Sequence, residues 1–186
     1  MQLNIRQLTN TEIVVVLFFT MSILELLNML TGRWLNQFAL YPRATDALSG
    51  ILLSPFIHGN LWHYTSNIFP LCLFSFLCLQ YGQTTFWKIT SFIIIGTGVL
   101  VWLLGREALH LGASGLIYGY FGFLIFAGFI SKRLKLIAIS LLVSFFYGGM
   151  IFGVLPVAGF ISWESHLFGF LIGVVAAKLW AKDIKR

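Results

Sequence analysis

Six apolar runs divide the chain, at about 13–31, 56–79, 86–104, 113–131, 134–155 and 163–181. Each approaches or exceeds the roughly 20 residues that cross ~30 Å of hydrocarbon at ~1.5 Å per residue. Hydrocarbon offers backbone N–H and C=O groups no partner, so such runs must satisfy themselves as helices. The short alternating strands of a membrane barrel do not occur. The pattern predicts an all-α membrane protein: a bundle of six transmembrane helices forming one domain over residues 1–186. Connections are short except for about 32–55, which holds Trp34, Tyr41, Pro42 and Pro55 and has room for structure on the membrane surface. Residues 1–10 are polar, and the first run is too long for the apolar core of a cleaved signal. It is expected to serve as its own insertion signal.

Composition agrees. The chain is 59% hydrophobic and 10% charged, against roughly 25% charged in a soluble domain. So few charges cannot cover a water-facing surface. The net charge of +6 does not point to nucleic acid, because the basic residues sit at the ends of apolar runs rather than along one stripe. Their distribution sets an orientation instead. With six spans both termini share a side. Arg6, Lys88, Lys132, Arg133, Lys135, Lys178, Lys182, Lys185 and Arg186 fall there, against Arg33, Arg43 and Arg106 opposite. The positive-inside rule then puts both termini in the cytoplasm, in a multi-pass inner-membrane protein. Cys72 and Cys78 lie in one apolar run and read as buried thiols without a disulfide.

Ionisable side chains inside a bilayer are costly, which makes them functional candidates. In the second run, HGNLWHYTSN, His63 and Asn67 are four apart and share a helix face, while His58 points elsewhere. Pro70 follows and removes a backbone donor, so a kink or local loosening is expected there. In the fourth run, GASGLIYGYFG, Ser114 and Tyr118 share a face and Gly112 and Ser114 open the helix. A helix start offers free N–H groups and a positive dipole end to a developing oxyanion. In the sixth run, WESHLFGFLIG, His166 lies on the first turn. Gly115 with Gly119, and Gly169 with Gly173, form two small-residue faces that let helix backbones approach closely. Pressed together, these faces would bring Ser114 next to His166, as a serine nucleophile needs a base within about 3 Å. Spans two, four and six all begin on the non-cytoplasmic side, so these groups are expected to line one cavity. His110 falls in a short loop and needs only solvent. Glu25 is expected to snorkel or to pair with a buried donor, and Glu164 reads as an exposed loop carboxylate.

Three motifs, HxxxxHxxxN at His58–Asn67, GASG at Gly112–Gly115 followed by Tyr118, and HxxGxxxG at His166–Gly173, occur in order on spans two, four and six. In this the chain resembles the rhomboid intramembrane proteases, in their minimal six-span bacterial form. The resemblance covers essentially the whole hydrophobic chain. It implies Ser114 as nucleophile and His166 as general base in a dyad without an Asp. It implies Tyr118 packed on the His166 ring, and His63, Asn67 and the Ser114 N–H around the oxyanion. His58 matches a further family position of less defined role. The implied partners are transmembrane protein substrates, cut near the outer face with small residues before the bond, and the fifth span would move aside to admit them. No cofactor or metal is implied, and no HExxH motif occurs. One departure stands out: many members carry Trp-Arg where this chain has Ser49 and Gly50, so the surface loop is expected to be built differently.

Two rival classes remain at this level. One is a catalytically inactive rhomboid-like protein that binds membrane helices. The other is a small transporter or haem carrier using His58, His63 and His166, which leaves Ser114 and GASG unexplained.

Overall fold

The computed structural model describes residues 8–156 and 161–183; Arg6, Lys185 and Arg186 of the charge count lie outside them. The described residues form seven α-helices: α1 (Asn10–Leu30), α2 (Gly50–Leu53), α3 (Leu61–Leu79), α4 (Gln83–Leu104), α5 (Ser114–Ser131), α6 (Leu134–Tyr147) and α7 (Trp163–Trp180). Three 3₁₀ segments accompany them, at Trp34–Phe38, Ser54–Phe56 and Gly148–Val154.

Local chemistry sets the helix ends. Thr9 caps α1 through a reciprocal pair: its hydroxyl accepts from the Glu12 N–H, and the Glu12 carboxylate accepts from the Thr9 N–H. Asn60 caps α3 by accepting from the His63 N–H at 2.8 Å. α3 continues through Pro70, which has no N–H to give the Ser66 carbonyl one turn back. α7 carries Glu164 in its first turn and Lys178 in its last, each at the end of the helix dipole that favours its charge.

Among the described residues, four elements are long and apolar enough to cross a membrane: α1, α4, α5 and the stretch Leu134–Val154. The other two long helices, α3 and α7, carry the polar residues of the first and third motifs near their N-terminal ends, which dilutes their apolar character. α5 is the central helix. Two thirds of its span is buried (67%), against 17–28% for the other three. α7, α6, α3 and α4 all pack on it. Outward faces are apolar as well: Phe19, Leu26, Phe145 and Phe146 are exposed, as lipid-facing side chains are.

The long connection is folded against the bundle. Leu40 and His110 exchange two backbone hydrogen bonds, at 2.9 and 2.8 Å. The Arg43 N–H donates to the Trp102 carbonyl and its guanidinium to the Gly105 carbonyl, while the Trp102 indole donates to the Ala44 carbonyl. Gly50 explains part of the departure in this loop. A Cβ there would lie 2.6 Å from the Leu40 backbone, so the loop crosses itself at a point that admits no side chain.

Candidate active site

α5 and α7 meet backbone to backbone. A Cβ at Gly169 would lie 2.1 Å from the Gly115 carbonyl oxygen, and one at Gly173 would lie 1.9 Å from that of Gly119. Any side chain at either position would hold the helices apart. The contact continues upward, where a Cβ at Gly115 would sit 3.4 Å from the Ser165 carbonyl oxygen. The neighbours of Ser114 and of His166 are thus in van der Waals range. Ser114 is the first residue of α5 and His166 the fourth of α7.

These two side chains line one cavity of about 660 Å³, together with His63, Asn67 and Tyr118. Gly59, Trp62, Ser66, Pro70, Ile117 and Met150 complete much of its wall. α3 starts at Leu61, a turn later than the apolar run, so His63 and Asn67 are its third and seventh residues. That puts them within ~10 Å of the helix start and at a depth comparable with Ser114 and His166.

The His166 ring lies flat on Tyr118, with centroids 4.1 Å apart and planes 8° from parallel. Its Nδ1 is 2.9 Å from the Gly153 carbonyl oxygen. A carbonyl can only accept, so Nδ1 carries the proton. In the neutral ring, Nε2 therefore keeps its lone pair and can act as a base.

The loop before α5 is shaped around the histidines of the first motif, His58 and His63. Gly112 has φ +107°, a conformation glycine adopts without strain. A Cβ there would lie 2.5 Å from His63 Cε1, so the His63 ring occupies the space a side chain would need. The Ala113 N–H donates to His58 Nε2 at 3.4 Å, and the His58 ring meets His63 and Tyr64 edge-on. His58 is buried on the loop ahead of α3. Burial, with smaller contributions from the charges of His63 and Arg33, pushes its imidazole down to about 3. It is a neutral support for the GASG backbone. The Asn67 amide donates to the His63 carbonyl at 2.7 Å and, at 3.4 Å, to the Ser66 hydroxyl; its Oδ1 is buried without a partner.

Three expectations about the surroundings need correction or completion. Glu164 is not an exposed loop carboxylate: it lies buried on the first turn of α7, 3.3 Å from the Arg106 guanidinium. His110 is not a solvated loop residue either. It is buried, its Nδ1 bonds the Ser162 hydroxyl, and its Nε2 lies 3.1 Å from the Arg106 carbonyl. Burial lowers its basicity, with the Arg106 carbonyl opposing. Glu25 takes the buried-donor option, pairing with Arg33 at 2.7 Å, and Arg33 also donates to the His58 carbonyl. Asn28 donates to that same carbonyl at 3.1 Å. Of these groups Gly153 left no trace in the sequence, because a backbone acceptor has no residue-type signature. His110 and Glu164 could have been flagged as ionisable residues within four positions of a motif.

The sequence matches the rhomboid domain over residues 45–182. The chain belongs to the rhomboid family. An uncharacterized protein of Mycobacterium tuberculosis is 37% identical to this rhomboid over 166 residues, covering 84% of this chain and 69% of the relative. An uncharacterized protein of Mycobacterium leprae is 37% identical over 166 residues, covering 84% and 66%. Rhomboid-like protein 11, chloroplastic, of Arabidopsis thaliana is 28% identical over 141 residues, covering 68% of this rhomboid and 50% of the plant protein. The family includes serine proteases, and this rhomboid is a multi-pass membrane protein with several apolar helices.

Proposed function

We propose that this rhomboid is a six-span intramembrane serine endopeptidase, hydrolysing peptide bonds in or near the membrane segments of other proteins. The observation that carries the reading is the state of His166. Its ring is stacked on Tyr118 and protonated on Nδ1 in the cavity that Ser114 also lines. An imidazole held in that tautomer, in the same cavity as a serine at a helix start, supports nucleophilic acyl transfer, in which the base takes the serine proton.

In the proposed sequence the Ser114 hydroxyl attacks the substrate carbonyl and its proton passes to His166 Nε2. The oxyanion collects N–H donors from the Ser114 backbone and His63, and from Asn67 once its long contact to Ser66 is released. The imidazolium then protonates the leaving amine, and the C–N bond breaks to give an acyl-enzyme. Water, deprotonated by His166, cleaves the ester and restores both groups. Helices α3 and α7 act as spans alongside the four more apolar elements. Their polar residues face the shared cavity rather than lipid, where they are tolerable. Both termini lie in the cytoplasm, and the cavity opens toward the opposite side.

The test is labelling by a serine-directed fluorophosphonate probe in detergent, together with cleavage of a transmembrane model substrate. Wild type should label and cleave; Ser114→Ala should do neither while remaining folded, and His166→Ala should not cleave. A folded wild type that neither labels nor cleaves would favour the inactive, helix-binding alternative.

A further inference from the structure

The residue that orients His166 belongs to neither helix of the dyad. Gly153 lies in the 3₁₀ segment Gly148–Val154, which continues α6. Its carbonyl takes the Nδ1 hydrogen bond. A second, independent contact fixes the same residue: a Cβ at Gly153 would lie 1.8 Å from the Tyr118 hydroxyl oxygen and 2.9 Å from Cζ. One residue of this segment therefore abuts the aromatic platform and holds the imidazole stacked on that platform. Met150 packs on the hydrophobic core, but the rest of the segment is lightly held. Gly148 and Gly149 face open space, Phe152 is exposed, and the span it completes is the least buried of the four apolar ones, at 17%.

We propose that the Gly153 carbonyl is the positioning group for His166, so that the seat of the 148–154 segment decides whether the imidazole is a competent base. In a serine hydrolase with a third acidic member, a carboxylate on the same rigid scaffold performs this task. Here the acceptor is a neutral backbone oxygen on a separately mounted, weakly packed element. When the segment sits against Tyr118, Nδ1 is protonated and Nε2 is free to take the Ser114 proton. When it lifts away, the ring loses the partner that selects that tautomer, while its stack on Tyr118 persists. Catalytic competence is thereby tied to closure of the wall that α6 contributes. This rests on the serine-hydrolase reading for its consequence, and on geometry alone for the contact.

The chain contains four histidines, so ¹⁵N-histidine NMR of the full chain in bicelles, assigned with His166→Ala, can read the tautomer directly. Wild type should show His166 protonated on Nδ1. Gly153→Ala, whose added methyl meets the Tyr118 hydroxyl, should convert that signal to a mixture of tautomers. Its kcat should fall on the order of 10- to 100-fold. If Gly153→Ala fails to fold, an amide-to-ester replacement of the Gly153–Val154 bond weakens the same acceptor without adding an atom. It should shift the tautomer in the same direction, whereas an ester at the Ile151–Phe152 bond should not. An Nε2-protonated His166 in wild type, or an unaltered tautomer and kcat in Gly153→Ala or the ester, overturns the proposal and leaves the protease reading standing. A tautomer shift in a protein whose wild type hydrolyses nothing supports the contact and overturns the protease reading instead.

Discussion

At Gly112 two demands meet: φ of +107° and a His63 ring where a Cβ would go. Gly112→Ala is expected to cost about 1–3 kcal/mol from the strained backbone conformation. It should also displace His63 and lower kcat/KM by ~10²–10³, the scale of a lost oxyanion donor. Thermal unfolding in detergent and steady-state cleavage would separate the two effects. His58 yields a pH prediction. Its Nε2 accepts from Ala113, so a proton there would face another N–H. With a folded value of about 3 and an unfolded one near 6.5, the unfolded chain takes up the proton first as pH falls. Stability is full above about 6.5 and is lost down toward 3. By pH 5 this one group should cost about 2 kcal/mol, and His58→Asn should flatten the acid limb of a melting-temperature profile. The motif residues were legible because their types and spacing are chemically unusual in an apolar run. The supports of the site were not. Gly153 contributes only a carbonyl, and Arg106 meets Glu164 from 58 positions away.

At the element scale the six long helices were legible from apolar runs, while the four-residue α2 lay hidden in the long connection. The glycine pairs of α5 and α7 marked the contact that brings Ser114 and His166 to one cavity. The start of α3 was placed five residues early, because Phe56 and Ile57 extend the apolar run while Gly59 and Asn60 break the helix. The 3₁₀ segment after α6 was hidden for the same reason: GGMIFGV is as apolar as the helix before it. The contact makes unequal predictions for its glycines. Gly173→Ala forces a methyl against the Gly119 carbonyl and should destabilise by about 1–3 kcal/mol. Gly169→Ala does the same a turn nearer the cavity and, on the proposed mechanism, should in addition abolish probe labelling by moving Ser114 away from His166. Gly149→Ala, with nothing within 4 Å, should change stability by no more than ~0.5 kcal/mol. A melting series with a labelling assay checks all three.

Charge divides the whole molecule into two ends. Arg33, Arg43 and Arg106 at one end each meet an acidic partner: Glu25 at 2.7 Å, Glu107 at 3.5 Å and Glu164 at 3.3 Å. Asp46 lies on the same connection, so this end has no basic excess. The opposite end gathers Asn10 with Leu79, Gln83 with Leu8, Lys135 with Gln80 and Lys88 with Asp183, and by sequence it holds the other nine basic residues against Glu12 and Asp183. Counting basic residues in the loops predicts the proposed orientation, and the ion pairs favour the same one, since the few arginines at the far end are already committed to carboxylates. In the proposed orientation the end with Arg33, Arg43 and Arg106 lies outside and has no basic excess to retain on the cytoplasmic side, whereas moving the other end across would carry an uncompensated positive cluster. Exposed positions at each end make the test direct. In a background with Cys72 and Cys78 replaced by Ser, Glu107→Cys should react with a membrane-impermeant maleimide applied outside intact cells. Lys88→Cys should react only after the membrane is opened. Lysine substitutions at Leu109 and Leu48 should erode that difference, because they supply the outer end with the unpaired positive charge it now lacks.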